Sequence, residues 1–267
     1  TTMLPTADAA VVAEELTRRF GTGSPAVDQW QFTLTATDAN RHVIRYARQV
    51  TGRARVAVID FCYHGSVDET FATLDDQGRV VARRGNIGAP VDPALTTAVV
   101  PFNDLAALER ELATGTVAAV LLEPAMTNIG IVLPDAGYHT ALREMTRRHG
   151  ALLVIDETHT LCAGPGGCTR AWGLDPDVVV VGKTIGGGIP SAAFGMTSEL
   201  SERVVTSVGL EDIDVGGVGG TLAGNALSLA AMRATLTQVL TDDVFGRMDE
   251  LAVAWTDGVQ GVLAAHR

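Results

Sequence analysis

Apolar and polar positions along this chain follow two different periods. The continuous apolar runs Val117–Leu122, Leu152–Ile155 and Val178–Val181 predict strands covered on both faces. Gln31–Thr35 and Val56–Phe61 predict two more strands. Between them lie segments with helical spacing. These are Asp38–Val50 stopped by Gly52, Asp104–Leu112, Tyr138–Arg148 stopped by Gly150, Ala226–Leu240 and Asp243–Leu263. A first helix, N-capped by Thr6, runs through Val11, Val12 and Leu16 to Phe20-Gly21. Gly85–Asp92, Ala163–Gly173 and Gly209–Gly220 predict loops. Strands alternating with helices predict an α/β fold with an open, doubly wound, mostly parallel sheet.

Composition narrows the class. With 46% hydrophobic and 19% charged residues among 267, the chain is not disordered. Its 29 glycines have no period, which excludes collagen and implies tight turns. The net charge of −11 argues against general affinity for nucleic acid or anionic membrane, so an anion would need a local site. The longest apolar runs are strand-sized, and the N-terminus lacks the pattern of a signal peptide. The cysteines at 62, 162 and 168 match neither CxxC nor a zinc ligand set. A reduced, cytoplasmic protein without a structural metal is expected. Among the 20 cationic side chains, Lys183 is the only lysine. Codon bias would account for the arginines. A need for a primary amine would account for the exception.

Ligands bind such sheets outside the carboxyl ends of the strands. Thr35-Ala36-Thr37, Cys62-Tyr63-His64-Gly65, Glu123-Pro124, Asp156-Glu157-Thr158-His159 and Gly182-Lys183-Thr184 stand at those ends. Two chemistries compete for them. Leu152–Glu157 has the form of a Walker B strand, and Gly182-Lys183-Thr184 that of a P-loop ending. The P-loop also needs an earlier glycine, and Asp177 occupies that position. Nor does Gly217-Val218-Gly219 open a dinucleotide fingerprint, because Leu222 replaces its third glycine. Pyridoxal phosphate chemistry fits better, since it needs a lysine, a carboxylate for the ring nitrogen, a phosphate cradle and a flat partner. Lys183 supplies the amine and Asp156 the carboxylate. The Thr35-Ala36-Thr37 turn opens a helix and suits a phosphate. Tyr63 can stack on the ring.

At these residues the sequence resembles the class III, fold type I pyridoxal phosphate-dependent aminotransferases, in the glutamate-1-semialdehyde aminomutase-like branch. The resemblance covers nearly the whole chain. Its most specific part runs from Asp156-Glu157 through Pro176-Asp177 and Gly182-Lys183 to Gly186-Gly187-Gly188-Ile189-Pro190. The Tyr63-His64-Gly65 and Glu123-Pro124 motifs, Asn128, and Gly220 through Asn225 match in the same order. It implies a three-layer sheet fold and the cofactor pyridoxal 5'-phosphate. Lys183 becomes the Schiff-base lysine and proton shuttle, and Asp156 the partner of the ring nitrogen. Tyr63 would stack on the ring, with His64 in the same motif. Thr35, Ala36 and Thr37 would hold the phosphate, helped by Thr221 of a second subunit. Asn128 would lie near the ring hydroxyl, and Thr158 and His159 beneath or beside the ring. A homodimer with a shared active site follows. So does a division into a cofactor-binding domain at 1–240 and the start of a small domain at 241–267, with the family's N-terminal part and most of the small domain absent.

The chain departs from the family at two places. Ala36 replaces a glycine in the phosphate turn, so that turn must keep a negative φ or carry strain. Thr158 and His159 stand where the family has Val and then Gln or Met, and make the pocket more polar. Plainer roles stay open for several residues: helix capping for Thr35 and Thr37, core packing for Tyr63, turn formation for Thr221, structural hydrogen bonding for His64 and His159. Cys162 and Cys168 read as incidental. The expected function is transfer of an amino group from an amino acid or amine donor to a keto or aldehyde acceptor. The alternatives are intramolecular amino transfer, and a catalytically silent binding or regulatory protein of this fold. Arg41 and Arg170 are among several arginines that suit a substrate carboxylate, and nothing selects one.

Overall fold

The structure, a computed structural model, describes residues 6–88, 91–208 and 217–266. A seven-stranded sheet forms its centre, in the order β1-β9-β8-β7-β6-β2-β5. The strands are β1 (Val27–Thr33), β2 (Arg55–Ile59), β5 (Thr97–Val100), β6 (Val117–Leu122), β7 (Leu152–Asp156), β8 (Val178–Val181) and β9 (Ala192–Thr197). A separate hairpin pairs β3 (Ala72–Leu74) with β4 (Val80–Ala82). β5, β2, β6, β7 and β8 are parallel neighbours. β9 is antiparallel to both β8 and β1. Two reversals cancel, so β1 runs with β8 and ends at the same edge of the sheet.

Helices cover both faces. They are α1 (Ala7–Phe20), α2 (Ala36–Thr51), α3 (Leu105–Ala113), α4 (Tyr138–His149), α5 (Gly167–Ala171), α6 (Ser198–Val208), α7 (Ala226–Ala234) and α8 (Asp242–Ala265). The alternation of β8 shows the two layers directly. Val178 and Val180 pack into a core with α2 and α6, whereas Val179 and Val181 pack into a second core with α1 and α7. All four are buried, and each contributes about 1.5–3 kcal/mol by leaving water. The fold is therefore the expected doubly wound, mostly parallel α/β sheet.

Several boundaries differ from the sequence expectation. β1 lies at Val27–Thr33 rather than Gln31–Thr35, because Thr35 is the N-cap of α2. Thr6 stands at the N-cap of α1, but its hydroxyl makes no capping bond. The Ala226–Leu240 segment is α7 followed by a single turn of π-helix, Thr235–Val239. The loop expected at Ala163–Gly173 contains α5. Most of the loop expected at Gly209–Gly220 lies outside the described residues.

The π turn creates free carbonyls, and Arg19 of α1 takes them. Arg19 is 1% exposed, with its guanidinium donating to Leu236 O at 2.8 Å, Leu240 O at 2.7 Å and Pro165 O at 2.7 Å. Glu15 balances its charge at 2.8 Å. One side chain thereby joins the first helix, the loop before α5 and the end of α7.

Phe194 on β9 is fully buried and meets His42 and Tyr46 edge-on at 6.2 and 6.1 Å. Phe194→Ala is expected to cost about 3–5 kcal/mol, read as a lower urea midpoint with an unchanged slope.

Candidate active site

The carboxyl ends of β1, β2, β6, β7 and β8 share one edge of the sheet. There a cavity of about 380 Å³ gathers Thr35, Ala36, Thr37, Tyr63, His64, Asp156, Thr158, His159 and Lys183. Glu123 and Ser191 line it too.

Asp156, the last residue of β7, is 2% exposed. A buried carboxylate is costly unless hydrogen-bonded, and three elements supply donors. His64 Nδ1 lies 2.8 Å from Oδ2, and Asn40 Nδ2 of α2 donates to the same oxygen at 3.0 Å. The Thr158 amide donates to Oδ1 at 3.0 Å. Burial alone would raise the Asp156 pKa. The His64, Thr158 and Asn40 bonds outweigh it and hold the carboxyl below its ordinary value. For His64, burial opposes the charge. The Cys62 sulfur and the Asp156 carboxylate outweigh burial and raise the imidazole to about 10. The two groups thus form a buried ion pair at neutral pH.

Asn40 is absent from the expected site. Its Nδ2 also donates to His64 O at 3.2 Å, tying α2 to the loop after β2. The signal was present in the sequence. Asn40 falls on the buried stripe of α2 with Ala39, Val43, Ile44 and Ala47, where a polar residue needs a partner.

Lys183 opens a tight turn after β8 and has φ 50, in the left-handed region. Side chains seldom adopt that conformation, and it costs about 1–3 kcal/mol. Gly182 before it suits a close approach, since a Cβ there would lie 3.1 Å from Ala36 Cβ, a tight contact. Lys183 Nζ lies 2.6 Å from His159 Nε2. The other ring nitrogen, His159 Nδ1, is 2.5 Å from Thr127 Oγ1 and 3.1 Å from Glu123 Oε2. The Thr127 hydroxyl donates to Glu123 Oε2. Thr127, which the sequence reading does not name, and Glu123, which it places at a strand end, thus reach Lys183 through His159 from the loop after β6.

The turn at the start of α2 offers donors to an anion. Thr35 has φ −140, and its hydroxyl accepts from the Asp38 amide at 3.1 Å and donates to Asp38 Oδ2 at 2.8 Å. The Ala39 amide bonds Thr35 O at 3.1 Å. Among the described residues, the Ala36 and Thr37 amides have no protein partner. Ala36 is the first helical residue and keeps a negative φ, so the missing glycine adds no strain. Beside it, Gly65 has φ 81, and a Cβ there would stand 2.0 Å from Thr37 Oγ1. The close approach of these two loops therefore requires glycine at 65. Tyr63 is 41% exposed, a cavity wall rather than a core aromatic.

Asn128 and Thr221 lie outside this cavity, Thr221 as expected of a residue that would serve a second subunit. Asn128 does not line the cavity. The Met126–Val132 bridge folds its loop outward, and its amide donates to Phe61 O at 3.0 Å. Thr221 is exposed in the turn before α7 and does not line this cavity either. Glu157, next to Asp156, points away into the protein. It accepts 2.5 Å bonds from the Thr160 hydroxyl and from both the amide and hydroxyl of Thr169, and a 3.2 Å bond from the Cys168 amide. Burial still pushes its pKa up. It anchors the 160–169 loop. Among the described residues, no group of three or more His, Cys, Asp or Glu could hold a metal ion.

The His64–Asp156 pair has a pH signature. A raised imidazole stabilises the fold fully below its unfolded value of about 6.5, and loses that contribution as pH rises toward 10. The depressed carboxyl contributes above its unfolded value of about 3.9 and loses it as pH falls further. The stability gap between wild type and His64→Gln is therefore expected to be widest between about pH 4 and 6.5 and to shrink above it. Urea midpoints across that range check this, and a gap that widens with rising pH contradicts it.

Known proteins share this fold. The family model for class III aminotransferases matches residues 1–266. A glutamate-1-semialdehyde 2,1-aminomutase from Thermomicrobium roseum is 38% identical over 244 residues, covering 90% of this chain and 55% of that protein. The chain thus spans about half the length of the curated relatives it matches. The crystal structure of a glutamate-1-semialdehyde-aminomutase from Pseudomonas aeruginosa PAO1 superposes with a TM-score of 0.94 at 50% identity, covering 99% of this chain and 58% of that one. A variant of the same enzyme was solved in complex with PMP. An omega-transaminase from Sphaerobacter thermophilus gives a TM-score of 0.84 at 31% identity, covering 98% and 60%. With its motifs, its sheet order and these matches in agreement, this chain belongs to the class III aminotransferase family.

Proposed function

We propose that this chain forms the cofactor-binding part of a pyridoxal 5'-phosphate-dependent enzyme that transfers amino groups. One observation carries the reading: the chain's sole lysine lines the same cavity as an ionised, buried Asp156 and the N-terminus of α2. The cavity also fits the cofactor chemically. Thr158 Oγ1 and Ser191 Oγ are buried there without partners, as polar groups awaiting a ligand. Asp156 accepts three bonds, and a carboxylate has room for one more.

When bound, the cofactor supplies an electron sink for a carbanion. The protein supplies the rest. The Ala36 and Thr37 amides would hold the phosphate at the positive end of α2. Tyr63 would stand against the ring. Asp156, kept ionised by His64, would hold a proton on the ring nitrogen. Lys183 Nζ would supply the nucleophilic amine and carry the proton at the reacting carbon. The donor is an amino acid or amine, and the acceptor a keto or aldehyde compound. A homodimer belongs to the same reading, in which Thr221 serves the partner's phosphate; its exposed position away from its own cavity supports this. A domain boundary near residue 240 is supported by α8, in which only Phe245 is buried. A reduced, cytoplasmic setting is supported by three free cysteines. Among the described residues, no helix is long and apolar enough to cross a membrane.

A second reading is intramolecular amino transfer. The 50% identity to a glutamate-1-semialdehyde-aminomutase favours it specifically. Both readings share Lys183 and Asp156 and differ in where the amino group goes.

Loading with pyridoxal 5'-phosphate should produce a band at roughly 410–430 nm that amino donors bleach and Lys183→Ala lacks. A loaded wild-type protein without that band contradicts the proposal. Glutamate semialdehyde converted without any keto acceptor identifies the aminomutase, whereas dependence on an acceptor identifies the transaminase. A band that no donor bleaches points to the silent protein.

A further inference from the structure

His159 is the side chain that touches Lys183. The hydrogen bonds around it fix which nitrogen carries the hydrogen. The Thr127 hydroxyl has a single hydrogen, and it goes to Glu123 Oε2. Thr127 Oγ1 can therefore only accept from His159 Nδ1 at 2.5 Å, and Glu123 Oε2 can only accept at 3.1 Å. Both demand a hydrogen on Nδ1. A neutral ring then presents the lone pair of Nε2 to Lys183 Nζ, 2.6 Å away. Glu123 is 5% exposed, and burial removes the water that would otherwise weaken its hold on the ring.

We propose that His159 is the proton acceptor for the Lys183 amine, with Glu123 and Thr127 as positioning residues that set its tautomer. The inference rests on the reading of Lys183 as the amine that captures the cofactor aldehyde. In the step, one N–H bond of the Lys183 ammonium breaks and an Nε2–H bond forms on His159. No electrons leave the site. The positive charge moves from Nζ to the imidazole, where the Glu123 carboxylate faces it, and Lys183 keeps a free lone pair for attack on carbon. The proton stays one hydrogen bond from Nζ and can return there. This arrangement parallels a carboxylate–histidine–nucleophile triad, with an amine in place of the hydroxyl. The other ionisable groups lining the cavity are Asp156 from β7, His64 and Tyr63 from the loop after β2, and Glu123 itself. Asp156 and His64 engage each other.

A single lysine makes the test clean. Reductive methylation of the cofactor-free protein with formaldehyde and cyanoborohydride, followed by mass spectrometry of the Lys183 peptide, reads the reactivity of one amine. His159→Gln keeps a hydrogen-bond acceptor but removes the basic nitrogen, so at neutral pH the methylation rate is expected to fall at least about tenfold. Glu123→Gln should slow it several-fold. A His159→Gln protein methylated at the wild-type rate overturns the proposal. A second measurement needs no folded variant. Two-bond ¹⁵N–¹H spectra of the wild type, with its six histidines labelled, report the tautomer of each ring. Hydrogen on Nδ1 of His159 supports the proposal, and a neutral ring with hydrogen on Nε2 overturns it. Parallel labelling with pyridoxal 5'-phosphate and borohydride separates the two ideas. If pyridoxal phosphate captures Lys183 but His159→Gln has no effect, only the relay falls. If methylation depends on His159 but pyridoxal phosphate never captures Lys183, the proposed function falls instead.

Discussion

A carboxylate buried at the end of β7 constrains everything around it. Asp156 is ionised in a site with almost no solvent, so each of its donors must be held in place by the fold. Asn40 fixes the rotation of α2 about its axis. His64 fixes the loop after β2. The Thr158 amide fixes the turn that carries His159. Losing the His64 imidazolium would leave that charge without compensation, a defect that commonly costs about 3–5 kcal/mol. The site is therefore rigid for electrostatic reasons before any ligand arrives.

Lys183 meets a different demand. Its left-handed backbone and the glycine before it let β8 end abruptly, close to the first residue of α2. The turn that opens α2 and the amine thus approach across the sheet edge rather than along the chain. Gly65 serves the same purpose between the second loop and Thr37. Strained or side-chain-free backbone at these two points is what lets three loops meet around a cavity this small.

The legible parts of the sequence were the continuous apolar runs and the residues at their ends. β6 and β8 lie where their runs place them, since four to six buried residues in a row leave little choice. β9 was hidden because Ala192, Ala193 and Gly195 have low strand propensity. Only pairing with β1 and β8 makes that segment a strand. β1 was displaced because it is an edge strand in which the exposed residues Asp28, Gln29 and Gln31 do not alternate strictly with the buried ones, which blurs the period. In the site, strand ends located Asp156, Lys183 and Glu123, and Asn40 left only the trace of a polar residue on a buried helix stripe, whereas the role of Thr127 depends on tertiary contacts that no motif encodes. Asn128 sits next to Thr127 in sequence, yet the turn of the loop sends only Thr127 inward.

Arg19 bears on mechanics. Hydrogen bonds from a charged donor contribute about 1.5–3 kcal/mol each, and Arg19 directs them at three backbone carbonyls from two distant segments. Moving α1 away from Pro165 or from the 236–240 turn would strip these carbonyls of their charged partner. Beyond this clamp, Phe245 is the one buried residue of the next helix among the described residues. The clamp therefore divides the chain into a part that Arg19 ties to the layers of the sheet and a part that its hydrogen bonds do not reach.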